Sequence, residues 1–405
     1  KHAVRSAAPA STPEPNTKPF TYSLWFGGIG ACAAASKDQN CASYFDSDKY
    51  RSKLFASRNP STKVFGEFET IRNNPTDFVE CTKDVDYIHI SPPCDAYSKG
   101  GSQLGATKPS GRYILGFFKL LCLMPEVPMV CVENVDEFWT NPLFVLLKAK
   151  FCAEARLLGY TVEYQSLNSS KFGSVQGARN RMYVLLIKSS YASQRPRWIT
   201  PASTSRTTRP VRSILSANEK LSSGLATTHR YSTSPPTRHK SSYRGPQQVG
   251  ILANAPRKHA SHTENRGYKV YDTNGPAAVI TATTTLAPGG ATQLYLDTRF
   301  KSKTVRQLSV REAWEVMGRP VDFDTSENQR EQKLQALGMS EDGYIVRAWE
   351  AKIRKYHRNE PAKIKYFADK SLNWTSAEAH ARCLHYGGWC MDLLGLPKLK
   401  NPCEE

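Results

Sequence analysis

The stretch YSLWFGGIGACAAAS occupies residues 22–36 and decides the fold. Its first four residues read as a short apolar strand, FGGIG as a glycine turn, and the remainder as a helix of small side chains packed closely on a sheet. Glycines in such a turn let a ligand approach the backbone, and the helix N-terminus favours negative charge. Phe26, Gly28 and Gly30 are therefore candidate cofactor contacts, although a packing turn would have the same sequence.

Two acidic side chains strengthen the cofactor interpretation. Cys41–Phe45 is strand-like and ends at Asp46, where a carboxylate can hydrogen-bond both ribose hydroxyls of a nucleoside cofactor. Glu67 can do similar work on an adenine amino group. This layout permits either a dinucleotide or S-adenosylmethionine.

Strand-like and helix-like segments alternate through the first half of the chain. We predict strands at Tyr87–Ile90, Met129–Val132 and Met182–Ile187, and helices at Tyr113–Leu123 and Phe144–Leu158. Such alternation indicates an α/β fold with a mostly parallel, Rossmann-like sheet covered on both faces.

Reactive side chains follow or precede these strands. Cys94 comes after two prolines that stiffen its loop, at the carboxyl edge of the sheet. Glu133 ends another strand, and Arg179 and Arg181 lead into a third, where side chains two apart can point the same way. These four side chains can therefore converge, and we take them as the candidate catalytic residues.

The order of these motifs resembles that of the cytosine-C5 methyltransferase family. The resemblance runs from Tyr22 to about Leu394, nearly the whole chain. It is carried by Phe26–Gly30, Pro92-Pro93-Cys94, Glu133-Asn134-Val135, Arg179 with Arg181, Val270–Pro276 with Thr281-Ala282, Arg306–Ala313 and, less closely, Gly387-Gly388-Trp389.

The resemblance implies a cofactor and a set of roles. The cofactor is S-adenosylmethionine, with Pro93 and Trp389 added to its contacts. The Cys94 thiolate attacks cytosine C6, Glu133 stabilises N3, and Arg179 and Arg181 offset charge near O2.

Departures from the family pattern bear on activity. Asp95 stands where the family usually has Gln, and a carboxylate there is expected to raise the pKa of the neighbouring thiol and to repel phosphate. Gln176 is displaced by one residue from the family's Gln-x-Arg-x-Arg spacing, and the last motif lacks its usual Asn. A catalytically inactive, nucleic-acid-binding relative is therefore an alternative.

Charge points to a polyanionic partner. The formal net charge is +19, and residues 188–266 hold 14 Lys or Arg against Glu219 and Glu264, a net +12. We predict that this segment is a small basic target-recognition domain on double-stranded DNA, with the alternative of a disordered basic insertion. Residues 98–111 are predicted to be a mobile loop over a flipped base. The candidate nucleic-acid contacts are Ser98, Lys99, Arg230, Arg244 and Lys258.

RNA methylation by the same chemistry is the main rival. The tRNA-methylating branch of the family carries a Cys-Phe-Thr signature, which this sequence lacks, so DNA is favoured. A nicotinamide oxidoreductase would explain the glycine turn but not the cysteine loop.

The remaining expectations concern organisation and location. No apolar run of membrane-spanning length and no C-x-x-C pair occurs, so neither a membrane span nor a zinc site is expected. We place the protein in the nucleus, or in the cytoplasm if its source is prokaryotic or viral. The predicted segments are a disordered leader at 1–19, the catalytic domain at 20–187, the recognition region at 188–266, the ninth-motif segment with a helical extension at 267–383, and a return to the catalytic domain at 384–405.

Overall fold

A computed structural model describes the chain between residues 20 and 358, with gaps. The described residues are 20–30, 39–177, 179–189, 208–215, 226–227, 231–232, 246–252, 269–281, 294–297, 304–319, 326 and 328–358.

Seven strands form the first sheet, in the order β3-β2-β1-β4-β5-β7-β6. β7 runs antiparallel to both of its neighbours, and every other pairing is parallel. The predicted α/β class with a mostly parallel sheet is confirmed. The strands are β1 (Phe20–Trp25), β2 (Gln39–Phe45), β3 (Lys63–Phe65), β4 (Tyr87–Ile90), β5 (Met129–Asn134), β6 (Tyr160–Asn168) and β7 (Asn180–Lys188).

Helices of the first half of the chain pack against this sheet. The predicted helix 113–123 is divided into α4 and α5, although Phe117 between them keeps helical dihedral angles. The predicted helix at residues 31–36 lies outside the described residues. The helices are α1 (Lys49–Ala56), α2 (Phe68–Asn73), α3 (Thr76–Thr82), α4 (Tyr113–Gly116), α5 (Phe118–Leu121), α6 (Glu137–Thr140) and α7 (Val145–Leu157).

The strand order places a crevice at the carboxyl ends of β1 and β4. The chain first builds outward from β1 to β2 and β3, then crosses back to place β4 on the other side of β1. Ligands of open α/β sheets bind where the order reverses in this way. The glycine turn follows β1 and the Cys94 loop follows β4, so both predicted motifs lie at this crevice.

A second sheet of six strands follows, in the order β8-β13-β12-β11-β10-β9. Its strands come from both sides of residue 266, the predicted end of the recognition region. Arg230, Arg244 and Lys258 lie outside the described residues. The strands are β8 (Ala226–Thr227), β9 (Tyr231–Ser232), β10 (Gln248–Leu252), β11 (Lys269–Asp272), β12 (Leu294–Asp297) and β13 (Thr304–Gln307).

Three helices follow the second sheet: α8 (Val310–Val316), α9 (Arg330–Gly338) and α10 (Gly343–Arg358). Ser309 and Glu312 form a capping box at the start of α8, and Glu312 also pairs with the buried Arg306 of β13 at 2.5 Å. The segment resembling the ninth family motif therefore fastens α8 to the second sheet.

Helix α10 returns the chain to the first sheet. Ile345, Val346, Trp349 and Ile353 are buried in the same cluster as the side chains on one face of that sheet, such as Tyr87. Trp349 Nε1 also donates a hydrogen bond to the Tyr87 hydroxyl (2.9 Å). The predicted return at 384–405 lies outside the described residues.

Within the described part of the chain, no helix is both long and apolar enough to cross a bilayer. The same residues contain no group of three or more His, Cys, Asp or Glu side chains arranged to hold a metal ion.

The packing of α10 predicts a large stability effect at Trp349. Trp349→Ala should lower the free energy of unfolding by about 3–5 kcal/mol, because it opens a cavity between α10 and the sheet. Leu146→Ala is the matched control, since Leu146 is 82% exposed, and it should change the same quantity by less than about 0.5 kcal/mol. Urea unfolding followed by circular dichroism measures both, and equal losses would contradict the packing of α10.

Candidate active site

The cysteine loop is anchored from the neighbouring strand. Asn134 at the end of β5 donates from Nδ2 to the Pro92 carbonyl (2.9 Å), and its Oδ1 accepts from Val135 N (2.9 Å). Cys94 O in turn accepts from the amides of Tyr97 and Ser98. Because both sides of the thiol are held by backbone contacts, the loop presents Cys94 in a fixed position at the edge of the sheet.

Cys94 is a free, half-buried thiol surrounded by charges of both signs. Burial raises its pKa, and the carboxylates of Glu133 and Asp95 add to that shift, whereas the guanidinium groups of Arg181 and Arg179 oppose it. The thiolate is therefore a minor species at neutral pH in the free protein.

Glu133 is buried beside Arg181. Arg181 Nε lies 3.3 Å from Glu133 Oε1. Burial and the charge of Glu341 raise the pKa of Glu133 to about 7, against the opposing charges of the two arginines and His89. A pKa raised this far above the ordinary value suits a group that gives up and takes back a proton near neutral pH.

The two predicted arginines have different partners. Arg181 pairs with Glu133, whereas the buried Arg179 donates from Nη1 to Ile280 O (2.9 Å) and from Nη2 to Ser340 O (2.7 Å). Burial, followed by the charge of Arg181, lowers the pKa of Arg179 to about 10. Arg179 therefore joins three segments of the chain at the site.

Gln176 has a structural role that its displaced spacing did not predict. It is fully buried and donates from Nε2 to Asp342 Oδ2 (2.8 Å), while its Oε1 accepts from Ile280 N (3.2 Å). The side chain thus links the segment that precedes β7 to the same two segments that Arg179 contacts.

The carboxylate of Asp95 is paired. Lys108 Nζ forms an ion pair with Asp95 Oδ2. Partial burial acts to raise the pKa of Asp95, but the hydrogen bonds from Lys108 and Ser110 and the charge of Lys108 together outweigh it, and the pKa is lowered. Asp95 is therefore ionised, as expected. The neighbouring Lys108 offsets the negative charge that was expected to raise the pKa of Cys94 and to repel phosphate.

The loop predicted to be mobile is fitted closely to the nucleophile segment. Ser102 N and Gly105 N donate to the backbone carbonyls of Asp95 and Ala96, both at 3.0 Å. A Cβ at Gly101 would come within 1.9 Å of the Asp95 carbonyl oxygen. Lys99 stays 83% exposed and lies 3.3 Å from Glu137. In the free protein, this loop is therefore held beside Cys94 by backbone hydrogen bonds.

The glycine turn has the geometry of a ligand cradle. Phe26, Gly28 and Gly30 all have positive φ, and a Cβ built at Gly28 would meet no atom within 4 Å. Gly28 is held from behind, since Tyr44 donates to its carbonyl (2.6 Å) and its amide donates to Asp46 Oδ2 (2.9 Å). The turn therefore exposes backbone rather than side chain towards the crevice.

Other predicted cofactor residues surround the cradle. The Phe26 ring packs against Phe68 and Tyr113, forming an aromatic wall. Glu67 is exposed at the start of α2, and Pro93 is half-buried beside Cys94. Asp46 also pairs with Arg51 (2.7 Å), so its contact with ribose remains a prediction. Trp389 lies outside the described residues.

His89 and Glu341 are site residues that the sequence analysis missed. His89 Nε2 lies 2.6 Å from Glu341 Oε1, and both side chains are buried. The alternation of Ile88-His89-Ile90 places a polar side chain in a buried strand, which was a local signal. No local sequence signal pointed to Glu341, because its contact with β4 spans about 250 residues of sequence.

Comparisons with known proteins agree with this geometry. Residues 23–341 match the profile of a family described as C-5 cytosine-specific DNA methylase. No curated protein sequence matches the chain.

Solved structures share the fold at low sequence identity. A triple mutant of Spodoptera frugiperda DNMT2 has 15% identity and a TM-score of 0.58, over 83% of this chain and 99% of that one. The Entamoeba histolytica methyltransferase EhMeth has 14% identity and a TM-score of 0.59, over 84% and 99%. The S. pombe Dnmt2 methyltransferase has 16% identity and a TM-score of 0.56, over 84% and 99%.

The charges around Cys94 predict an effect on thiol reactivity. Glu133→Gln removes a negative charge that raises the pKa of Cys94, so alkylation of Cys94 by iodoacetamide at pH 8 should become about three- to tenfold faster. Peptide mass spectrometry measures the rate, with Cys152 as internal reference. Glu126→Gln, an exposed carboxylate far from the thiol, is the control. An unchanged Cys94 rate in Glu133→Gln would refute the electrostatic coupling.

Proposed function

The chain belongs to the family of C-5 cytosine-specific DNA methylases, and from this premise we propose that it transfers a methyl group from S-adenosylmethionine to C5 of cytosine in double-stranded DNA. The observation that carries the proposal is the meeting of a free thiol, a buried carboxyl group with a raised pKa and a guanidinium group at one edge of the sheet. Cys94, Glu133 and Arg181 supply them.

The crevice fits a nucleoside cofactor. The open backbone at Gly28 and the ring of Phe26 suit a flat, polar ligand, and the exposed carboxylate of Glu67 suits an amino group on its base. S-adenosylmethionine, when bound, supplies an electrophilic methyl group on a sulfonium centre. Pro93 and the cradle lie on either side of the switch point, so a cofactor there would reach the Cys94 side of the crevice.

Cys94 begins the chemistry. Its thiolate forms a bond from Sγ to cytosine C6, and the displaced electron pair moves into the ring towards N3 and C5. Glu133 in its protonated form gives its proton to N3, and Arg181 and Arg179 offset negative charge that develops near O2. C5 is thereby made nucleophilic enough to take the methyl group.

The return steps restore the protein. A base removes the proton from C5, the electron pair of that C–H bond expels Cys94 from C6, and N3 returns its proton to Glu133. The states of the two side chains favour each other, because protonation of Glu133 removes one of the charges that raises the pKa of Cys94.

Access to the ring requires that the base leave the stack. C5 and C6 of a paired cytosine cannot reach Cys94 inside a duplex, so the nucleotide must be flipped into the crevice. Lys99, exposed at the edge of the cysteine loop, and the basic segment 188–266 are proposed to hold the phosphates. DNA is favoured over RNA because the sequence lacks the Cys-Phe-Thr signature.

Covalent trapping tests both nucleophile and substrate. Wild-type protein with S-adenosylmethionine and duplex DNA containing 5-fluorocytosine in many sequence contexts should form a stable adduct, because fluorine at C5 blocks the final elimination. Cys94→Ser should form none, and Cys152→Ser, which alters another free half-buried cysteine, should behave as wild type. Denaturing gels with labelled cofactor report the adduct.

Two outcomes would change the proposal. Adduct on structured RNA containing 5-fluorocytosine, with none on DNA, would establish the RNA reaction. Adduct on neither, with S-adenosylmethionine still bound in calorimetry, would favour a non-catalytic relative.

Glu133 should matter for transfer in the opposite sense to its effect on the thiol. Glu133→Gln should slow methyl transfer by about 10²–10⁴-fold, because N3 then receives no proton, even though Cys94 becomes easier to alkylate. Single-turnover transfer of labelled methyl groups measures the change. A rate that rises together with alkylation would show that Glu133 acts only through the thiol.

A further inference from the structure

Three adjacent strands place polar side chains on one face of the first sheet. His89 in β4 is in register with Cys131 in β5, and Glu133 in β5 is in register with Tyr183 in β7. Paired residues share a face and alternate residues return to it, so His89, Glu133 and Tyr183 point to the same side. That side is covered by α10, and Glu341 lies in the turn just before this helix.

Glu341 is held in a closed set of hydrogen bonds. Its Oε1 accepts from Ser91 Oγ (2.6 Å) and lies 2.6 Å from His89 Nε2, and its Oε2 accepts from the Tyr183 hydroxyl (3.3 Å). Arg319 donates to its backbone carbonyl (3.1 Å). Both carboxylate oxygens are occupied as acceptors, which is the pattern of an ionised group.

The donors behind His89 determine which ring nitrogen carries a proton towards Glu341. Trp349 can only donate, and it donates to the Tyr87 hydroxyl, which lies 2.7 Å from His89 Nδ1. When Tyr87 donates onward to Nδ1, the ring proton of His89 sits on Nε2 and faces Glu341. Among the charges around Glu133, that of Glu341 raises its pKa more than that of His89 lowers it, so the pair acts on Glu133 in the sense of Glu341.

We propose that Glu341 is a positioning residue for the methyl transfer: its buried negative charge, fixed by His89 and Ser91, keeps the neighbouring Glu133 in the form that carries a proton. The inference rests on the proposed function, in which Glu133 must donate to the cytosine ring. It goes beyond it by giving a role to a residue that contacts neither the base nor the cofactor.

Opposing charges explain why such a residue is needed. Arg181 and Arg179 both favour the ionised form of Glu133. Burial and Glu341 act the other way and hold its pKa at about 7. For Glu341 itself, burial raises the pKa, but the charge and hydrogen bonding of His89, then Ser91 and Arg319, lower it overall. The titratable or charged groups that interact with Glu133 are Cys94, Cys131, His89, Arg179, Arg181, Tyr183 and Glu341.

The test follows the protonation of Glu133 in the protein without cofactor or nucleic acid. Infrared difference titration reports the carbonyl stretch of protonated carboxyl groups, and the band that disappears in Glu133→Gln is assigned to Glu133. In Glu341→Gln the midpoint of that band should move towards acid by about one pH unit or more, because a like charge has been removed.

Two further variants separate charge from packing. Tyr183→Phe removes one hydrogen bond to Glu341 but no charge, so the Glu133 midpoint should stay where it is. Glu341→Asp keeps the charge and shortens the side chain, so it should retain the wild-type midpoint to within about half a pH unit. If Glu341→Gln does not fold, Glu341→Ser removes the same charge with a smaller side chain, and the midpoint should again move towards acid by about one pH unit or more.

The outcomes are distinguishable from failure of the proposed function, since the titration uses neither cofactor nor nucleic acid. An unmoved midpoint in Glu341→Gln, or a shift in Glu341→Asp as large as in Glu341→Gln, would overturn the inference. Where trapping on DNA occurs, the alkaline limb of its rate against pH should move to lower pH in Glu341→Gln by the same amount as the band. In Tyr183→Phe that limb should stay in place.

Discussion

A carboxyl group buried at the end of β5 is the constraint on which the site depends. Glu133 cannot be ionised cheaply inside the protein, yet Arg181 at 3.3 Å and the buried Arg179 both favour its charge. Because burial and the charge of Glu341 outweigh the arginines, the pKa of this group is raised to about 7. A site without the arginines would hold the proton too tightly to exchange it, and a site without the burial would have lost it long before pH 7.

The ionisation of Cys94 depends on the same charges as that of Glu133. Charges are reciprocal in their effects, so the ionised Glu133 that opposes the thiolate is itself opposed by it. The combination that the chemistry needs, a thiolate beside a protonated carboxyl group, is also the combination of lower repulsion. Asn134 gives this coupling a fixed geometry, because its side chain holds the Pro92 carbonyl of the cysteine loop and the adjacent residue of β5 is Glu133.

The sequence predicted those parts of the molecule that local pattern controls. Strands β1, β4, β5 and β7 are rich in buried apolar side chains, and the catalytic side chains stand at or just beyond strand ends. Both the sheet and the edge where Cys94 and Glu133 meet could therefore be inferred. Strand β3 is three residues long and largely exposed, and β6 mixes polar and apolar side chains, so neither has a clear period. The pairing of Asp95 with Lys108, 13 residues away, depends on how a glycine-rich loop folds back and leaves no periodic signal.

Local sequence patterns could not predict contacts between distant parts of the chain. Several of these contacts meet at one turn, residues 340–342. Ser340 accepts from Arg179, Glu341 from Ser91 and Tyr183, and Asp342 from Gln176. Ser340 thus fixes Arg179, Glu341 places a negative charge near Glu133, and Asp342 holds Gln176, which contacts the segment around Ile280. This turn is held in place by α10, whose apolar side chains are buried on the sheet. The burial of apolar side chains that holds α10 on the sheet therefore also fixes the position of the Glu341 charge. Packing on the face of β4 and β5 that carries His89 and Glu133 thus determines the electrostatics of proton transfer at the carboxyl ends of these strands.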